Sequence, residues 1–116
     1  MSWFSVALPI ADRPRSYAFY GALGFDRPGE PQADGVPEPL LVVIRDGVRL
    51  TLVPTGGFEW VLGDTRTPAD SSSASECIFN QDVATSLEVD AWLERALDAG
   101  GTIHAAAERR PWGYTG

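Results

Sequence analysis

Few side chains in this sequence can do chemistry, and their scarcity limits what they could do. There is one histidine, His104, and one cysteine, Cys77. All nine basic residues are arginines, and no lysine occurs. Schiff-base chemistry and a phosphate-gripping lysine are therefore excluded. One chain cannot supply a multi-histidine metal site, a cysteine cluster for zinc or an internal disulfide. Arg49, on a predicted strand, has the planar fork that grips a carboxylate or phosphate through two parallel hydrogen bonds. Its plainer reading is a solvated edge residue. Glu76, on another predicted strand, could serve as a base or acceptor with a pKa raised by partial burial. Alternatively it is exposed, or paired with Arg49. Trp3, Phe58, Trp60 and Trp112 could line an aromatic pocket for a flat or apolar ligand; Trp60 and Trp112 fall in predicted loops, whereas the plainer reading of Trp3 and Phe58 is core or rim. Tyr20 and Trp92 read as core. His104 is expected at the surface. Cys77 alternates with apolar neighbours and is expected to be a buried, inert thiol. Gly56-Gly57 reads as a turn rather than a phosphate loop, and no Ser-His-Asp set can be argued from spacing.

The chain around these residues has one domain's length, 116 residues. Its hydrophobic fraction of 44% is that of a globular protein rather than a disordered one. Sixteen acids against nine arginines give a net charge of -7. That balance repels phosphate backbones and anionic lipid, so neither nucleic acid nor a membrane surface is an expected partner. No apolar run is long enough to span a bilayer. The first residues lack the basic segment of a signal peptide, and disulfides are absent, so a cytoplasmic location is expected.

Local patterns predict the elements that must position the candidates. Trp3–Ile10 alternates as a strand, with Phe4, Val6, Leu8 and Ile10 on one face and Trp3, Ser5, Ala7 and Pro9 on the other. Asp12 reads as an N-cap with Pro14 in the first turn. The helix that follows carries Ser16, Phe19, Tyr20 and Leu23 as its stripe and ends before Gly24. Phe25–Arg27 is predicted as a short strand, and residues 28–39 as a loop rich in proline, glycine and acids.

Leu40–Arg45 and Val48–Pro54 flank Asp46-Gly47, which predicts a hairpin with a two-residue turn. An uninterrupted ladder from that turn sets Arg45 opposite Val48 and Val42 opposite Thr51. One face then carries Leu41, Val43, Val48, Leu50 and Leu52. The other carries Leu40, Val42, Ile44, Arg49, Thr51 and Val53. Residues 54–73 are predicted as a long connection with Phe58, Trp60, Val61 and Leu62 embedded in it. Ala74–Asn80 is predicted as a strand, with Glu76 on one face and Cys77 on the other. Thr85 to Glu88 resembles a capping box, opening a helix striped by Val89, Trp92, Leu93, Ala96 and Leu97 and closed by Gly100-Gly101. Thr102–Glu108 is predicted as a strand.

A strand, a helix and further strands thus occur twice, which reads as two copies of a small α+β module. Several stretches resemble one superfamily. They are Ala7-Leu8-Pro9-Ile10-Ala11-Asp12 leading to Phe19-Tyr20-Gly21-Ala22-Leu23-Gly24-Phe25, the hairpin with Val53 to Phe58, Glu88 to Trp92 through Gly101, and Pro111-Trp112-Gly113-Tyr114. The chain is similar, over nearly its whole length, to the vicinal-oxygen-chelate superfamily of glyoxalase, bleomycin-resistance and extradiol-dioxygenase relatives. The resemblance implies an α+β fold of two tandem βαβββ modules. Their curved mixed sheets would form a cup around a small-molecule cleft. The expected boundaries are residues 1–57 for the first module, 58–73 for a connecting loop and 74–116 for a second module lacking its last strands.

The resemblance also implies where metal-using members keep their ligands. These points fall near Ser5, Thr51 and Glu76, with a fourth on a closing strand expected beyond Gly116, in a tail rather than another chain. Two hydroxyls and one carboxylate do not make a ligand set for a catalytic divalent ion. The expectation is therefore a metal-free protein with no cofactor, holding a small organic molecule near Ser5, Arg49, Thr51, Trp60, Glu76 and Trp112. A metal-dependent lyase, isomerase or dioxygenase of the same superfamily is the alternative, and a partner protein using an open sheet edge is a third reading. A homodimer is the expected assembly.

Overall fold

The computed structural model describes residues 2–75 and 77–116. The chain is α+β and divides into two compact units, Met1–Ile78 and Phe79–Gly116. Among the described residues there are three helices, a mixed three-stranded sheet and a small two-stranded sheet.

In the first unit, β1 (Phe4–Ile10) leads through α1 (Arg13–Ala22) to β2 (Leu40–Arg45) and β3 (Val48–Pro54). The strand order is β1-β3-β2. β3 pairs parallel with β1 and antiparallel with β2. The helix forms where its caps predict it. Asp12 stays extended and its Oδ1 accepts the Arg15 N–H at 3.0 Å. At the other end Gly24 takes φ 98°, a left-handed conformation that glycine adopts without a Cβ penalty. α1 packs Tyr20 against the core, and Tyr17 too, a residue outside the predicted stripe. The predicted strand Phe25–Arg27 reduces to one bridge, in which the Val43 N–H donates to the Asp26 carbonyl at 2.9 Å.

The hairpin has the predicted ends and the predicted Arg45–Val48 pair, but its ladder is interrupted. Val43 faces Arg49 while Arg45 faces Val48, so Ile44 is an extra residue bulging from β2. Beyond it Val42 faces Leu50 rather than Thr51. Because side chains alternate with period two, that single residue turns the rest of β2 over. Leu40 and Val42 thereby join Leu50 and Leu52 in the core, and Leu41 and Val43 move to the opposite face. The predicted face assignment of β2 is corrected accordingly. Val36 completes the core, and each of these five residues is at most 3% exposed. Each contributes roughly 1.5–3 kcal/mol through its removal from water. Val36 comes from the proline-rich loop, so that segment is core as well as connection.

Residues 55–62 correct the sequence reading again. They form α2 (Thr55–Leu62) rather than a loop, so Gly56-Gly57 lies in a helical first turn. The helix lies beside β1 and β3, with the Thr55 hydroxyl donating to the Ile10 carbonyl at 3.2 Å. The strand predicted at Ala74–Asn80 forms no ladder among its described residues. Cys77 there is exposed, not buried.

The second unit holds α3 (Ser86–Asp98) and the antiparallel pair β4 (Glu108–Arg110) and β5 (Gly113–Thr115). Thr85 caps α3 as predicted, its Oγ1 accepting the Glu88 N–H at 3.2 Å. Val89, Trp92, Leu93 and Ala96 are half-buried, whereas Leu97 is exposed despite its place on the stripe. The predicted strand Thr102–Glu108 is absent apart from Glu108, which opens β4. The Tyr114 hydroxyl donates to Asp90 Oδ1 at 2.7 Å, tying β5 to α3.

Candidate functional site

The sheet of the first unit has two faces, and the core occupies one. Strand pairing dictates what lies on the other. Ser5 pairs with Arg49 and Ala7 with Thr51 on the β1 side; Val43 pairs with Arg49 and Leu41 with Thr51 on the β2 side. The two polar residues of central β3 are thus flanked by a serine and alanine on one side and two aliphatic side chains on the other. One pleat repeat before Ser5 stands Trp3.

These residues interact directly. Arg49 Nε donates to Ser5 Oγ at 3.0 Å. The Arg49 guanidinium carbon lies 5.0 Å from the centre of the Trp3 ring, within cation–π range. Arg49 and Thr51 are half-buried, and Ser5 and Trp3 are exposed. Among the described residues no carboxylate stands at the strand positions of this face, so none of them neutralises the guanidinium charge across the ladder.

Of the six candidates, the structure brings together Ser5, Arg49 and Thr51. Trp60 lies on α2, with 84% of its surface exposed. Trp112 belongs to the other unit, in the turn between β4 and β5, and is exposed. Glu76 lies outside the described residues. Trp3, read as core or rim, is exposed and is the aromatic partner of Arg49. Leu41 and Val43 were read onto the wrong face, and no signal in the sequence marks the bulge that brings them here.

The arrangement offers one fixed cation, hydroxyls and an indole face. That set can hold an oxyanion and stack a ring. Among the described residues it presents no base. Burial, reinforced by the charge of Cys77, pushes the Tyr20 phenol up, so this hydroxyl stays protonated near neutral pH. Among the described residues no three His, Cys, Asp or Glu side chains gather as a metal site would need. A separate open depression of about 560 Å³ lies at the end of α2, lined by Phe58, Leu62, Asp64, Thr65, Arg66 and Thr67, and contains none of the six candidates.

No family model matches this sequence, and no curated protein matches it. Among solved structures, that of a hypothetical protein from S. aureus is similar, with a TM-score of 0.73 at 24% identity. The match covers 98% of this chain and 80% of that one. The likeness shows a shared fold. Among the described residues no helix is long and apolar enough to cross a membrane.

Proposed function

We propose that this protein binds a small, partly aromatic organic molecule on the sheet face built by Trp3, Ser5, Arg49 and Thr51, as a metal-free relative of the glyoxalase and bleomycin-resistance proteins. The observation that carries the reading is Arg49, held between Ser5 and Trp3 on a face whose flanking strand positions include Ala7, Leu41 and Val43. Few polar groups at defined points among apolar walls are what orient a ligand by complementarity alone. Catalysis is not required of such a site.

The tandem-module cup belongs to the same reading. The succession β1, α1, the Asp26 bridge, β2 and β3 supports a first βαβββ module. For a second module the support is α3 followed by the β4–β5 hairpin. A cytoplasmic homodimer is part of this proposal and rests on the sequence resemblance.

The test is a thermal-shift and equilibrium-dialysis screen of aromatic metabolites and hydrophobic antibiotics on the wild-type protein and on Thr51→Trp, which fills the face with an indole. The expected result is a binder that raises the wild-type melting temperature and is lost on Thr51→Trp. Absence of any binder, or binding that Thr51→Trp leaves untouched, would overturn the proposal.

A further inference from the structure

Resting on that reading, we propose that the ligand is an aromatic carboxylate or an equivalent flat oxyanion, and that Arg49 is the residue that selects it over neutral rings of the same shape.

The guanidinium has five N–H donors in a rigid plane. Ser5 takes the one on Nε. The four on Nη1 and Nη2 have no acceptor among the described residues. This is unlike Arg13, whose guanidinium is used up by Asp34, Glu38 and two backbone carbonyls. The Ser5 bond does for Arg49 what a positioning contact does in any anion site. It holds the plane by its inner nitrogen and leaves the outer pair for a bidentate guest.

The surroundings argue for an anion of a particular kind. The chain as a whole carries a charge of -7, so a free anion gains nothing from long-range attraction. Selection has to come from contact. Trp3 beside the guanidinium, with Leu41 and Val43 along the far strand, supplies apolar surface that a bare inorganic ion cannot use. A ring attached directly to the anionic group can use both. Half-burial of Arg49 lowers the local dielectric, which strengthens the charge-assisted bonds beyond their value in open water.

The experiment compares naphthoate with naphthamide, which has nearly the same shape without the charge, and with inorganic phosphate. Binding to the full chain is read by tryptophan fluorescence and calorimetry. Wild type is expected to bind naphthoate about 10- to 100-fold more tightly than naphthamide, the range of a charge-assisted pair. Added salt is expected to weaken the naphthoate complex alone. Arg49→Met should erase the preference for naphthoate over naphthamide, and Arg49→Lys should keep part of it because charge survives and the fork does not. Circular dichroism melts of both variants establish that they fold. Equal affinity for naphthoate and naphthamide would overturn anion selection yet leave ligand binding standing. Binding of phosphate as tight as naphthoate would overturn the aromatic requirement. Binding of no aromatic probe would overturn both this inference and the function on which it rests.

Discussion

Arg13 Nε donates to Asp34 Oδ2 at 2.9 Å, fastening the first turn of α1 to the loop that delivers Val36 to the core. The same guanidinium reaches Glu38 at 2.7 Å and the carbonyls of Val36 and Pro37 at 3.1 and 2.9 Å. Its side chain is only 16% exposed. Arg13→Met would leave those two carbonyls without their donor, at a cost of about 1–2 kcal/mol. Urea denaturation should show a lower midpoint with an unchanged slope.

The pairing also predicts an acid limb. The hydrogen bond from Arg13, helped by the Val36 N–H, holds the Asp34 carboxyl below its ordinary range. A carboxylate with a lowered folded-state pKa adds stability above its unfolded pKa of about 3.9, and that stability is lost as pH falls through the folded value. Asp34→Asn should therefore be less stable than wild type at neutral pH. The difference should shrink as both are titrated below about pH 4. A gap that stays constant down to strong acid would show that the carboxylate charge plays no part.

The bulge at Ile44 makes a prediction opposite to that of an uninterrupted hairpin. Leu40 is 1% exposed, and Leu41 is on the other face. Leu40→Ala should cost about 2–5 kcal/mol, and Leu41→Ala well under half of that. Chemical denaturation of the pair decides between the two ladders, because an unbroken register reverses the order.

Gly21 and Arg27 are coupled. A Cβ at position 21 would overlap the Arg27 guanidinium. That group lies 3.9 Å from the Tyr17 ring centre and donates to the Tyr17 carbonyl at 2.8 Å. Gly21→Ala should displace it and destabilise by about 1–2 kcal/mol, despite the better helix propensity of alanine. In an Arg27→Met background the same change should be neutral or stabilising, by up to about 1 kcal/mol. The sign reversal in a double-mutant cycle is the measurement.

In the second unit, the hydrogen bond to Asp90 raises the Tyr114 pKa. The protonated phenol is the favoured form, so the interaction is present below the unfolded pKa and is lost as pH rises through the folded one. Ultraviolet titration should show Tyr114 ionising later than a free phenol, and Asp90→Asn should bring it earlier.

Much of the first unit is legible in the residues themselves. Asp12, Pro14 and Gly24 mark α1 by the backbone conformations they favour, and Asp46-Gly47 marks the hairpin turn. Ser5, Arg49 and Thr51 come onto one face because the alternation along β1 and β3 is unbroken. The face of β2 is not legible, because Leu40, Val42 and Ile44 are as apolar as Leu41 and Val43. Period two cannot choose between equal sides; packing against Val36 and α1 does. α2 was hidden by Gly56 and Gly57, which look like breakers yet sit in a first turn where several N–H groups have no helical partner anyway. Phe58 and Leu62, four apart and both half-buried, were the signal for it. At Ala74–Asn80 and at residues 102–107 apolar alternation exists, but the described residues gain no ladder partner, and alternation without a partner is not a strand.

The bond from Arg49 to Ser5 joins residues 44 apart in sequence. β2 and β3, by contrast, meet across a two-residue turn, so the hairpin is a local contact and the β1–β3 pairing a non-local one. The guanidinium is aimed only once the amino-terminal segment has arrived beside β3 to grasp it. Recognition capacity is in this sense a certificate of maturity: a chain caught before that arrival has its hairpin, its arginine and nothing to aim it.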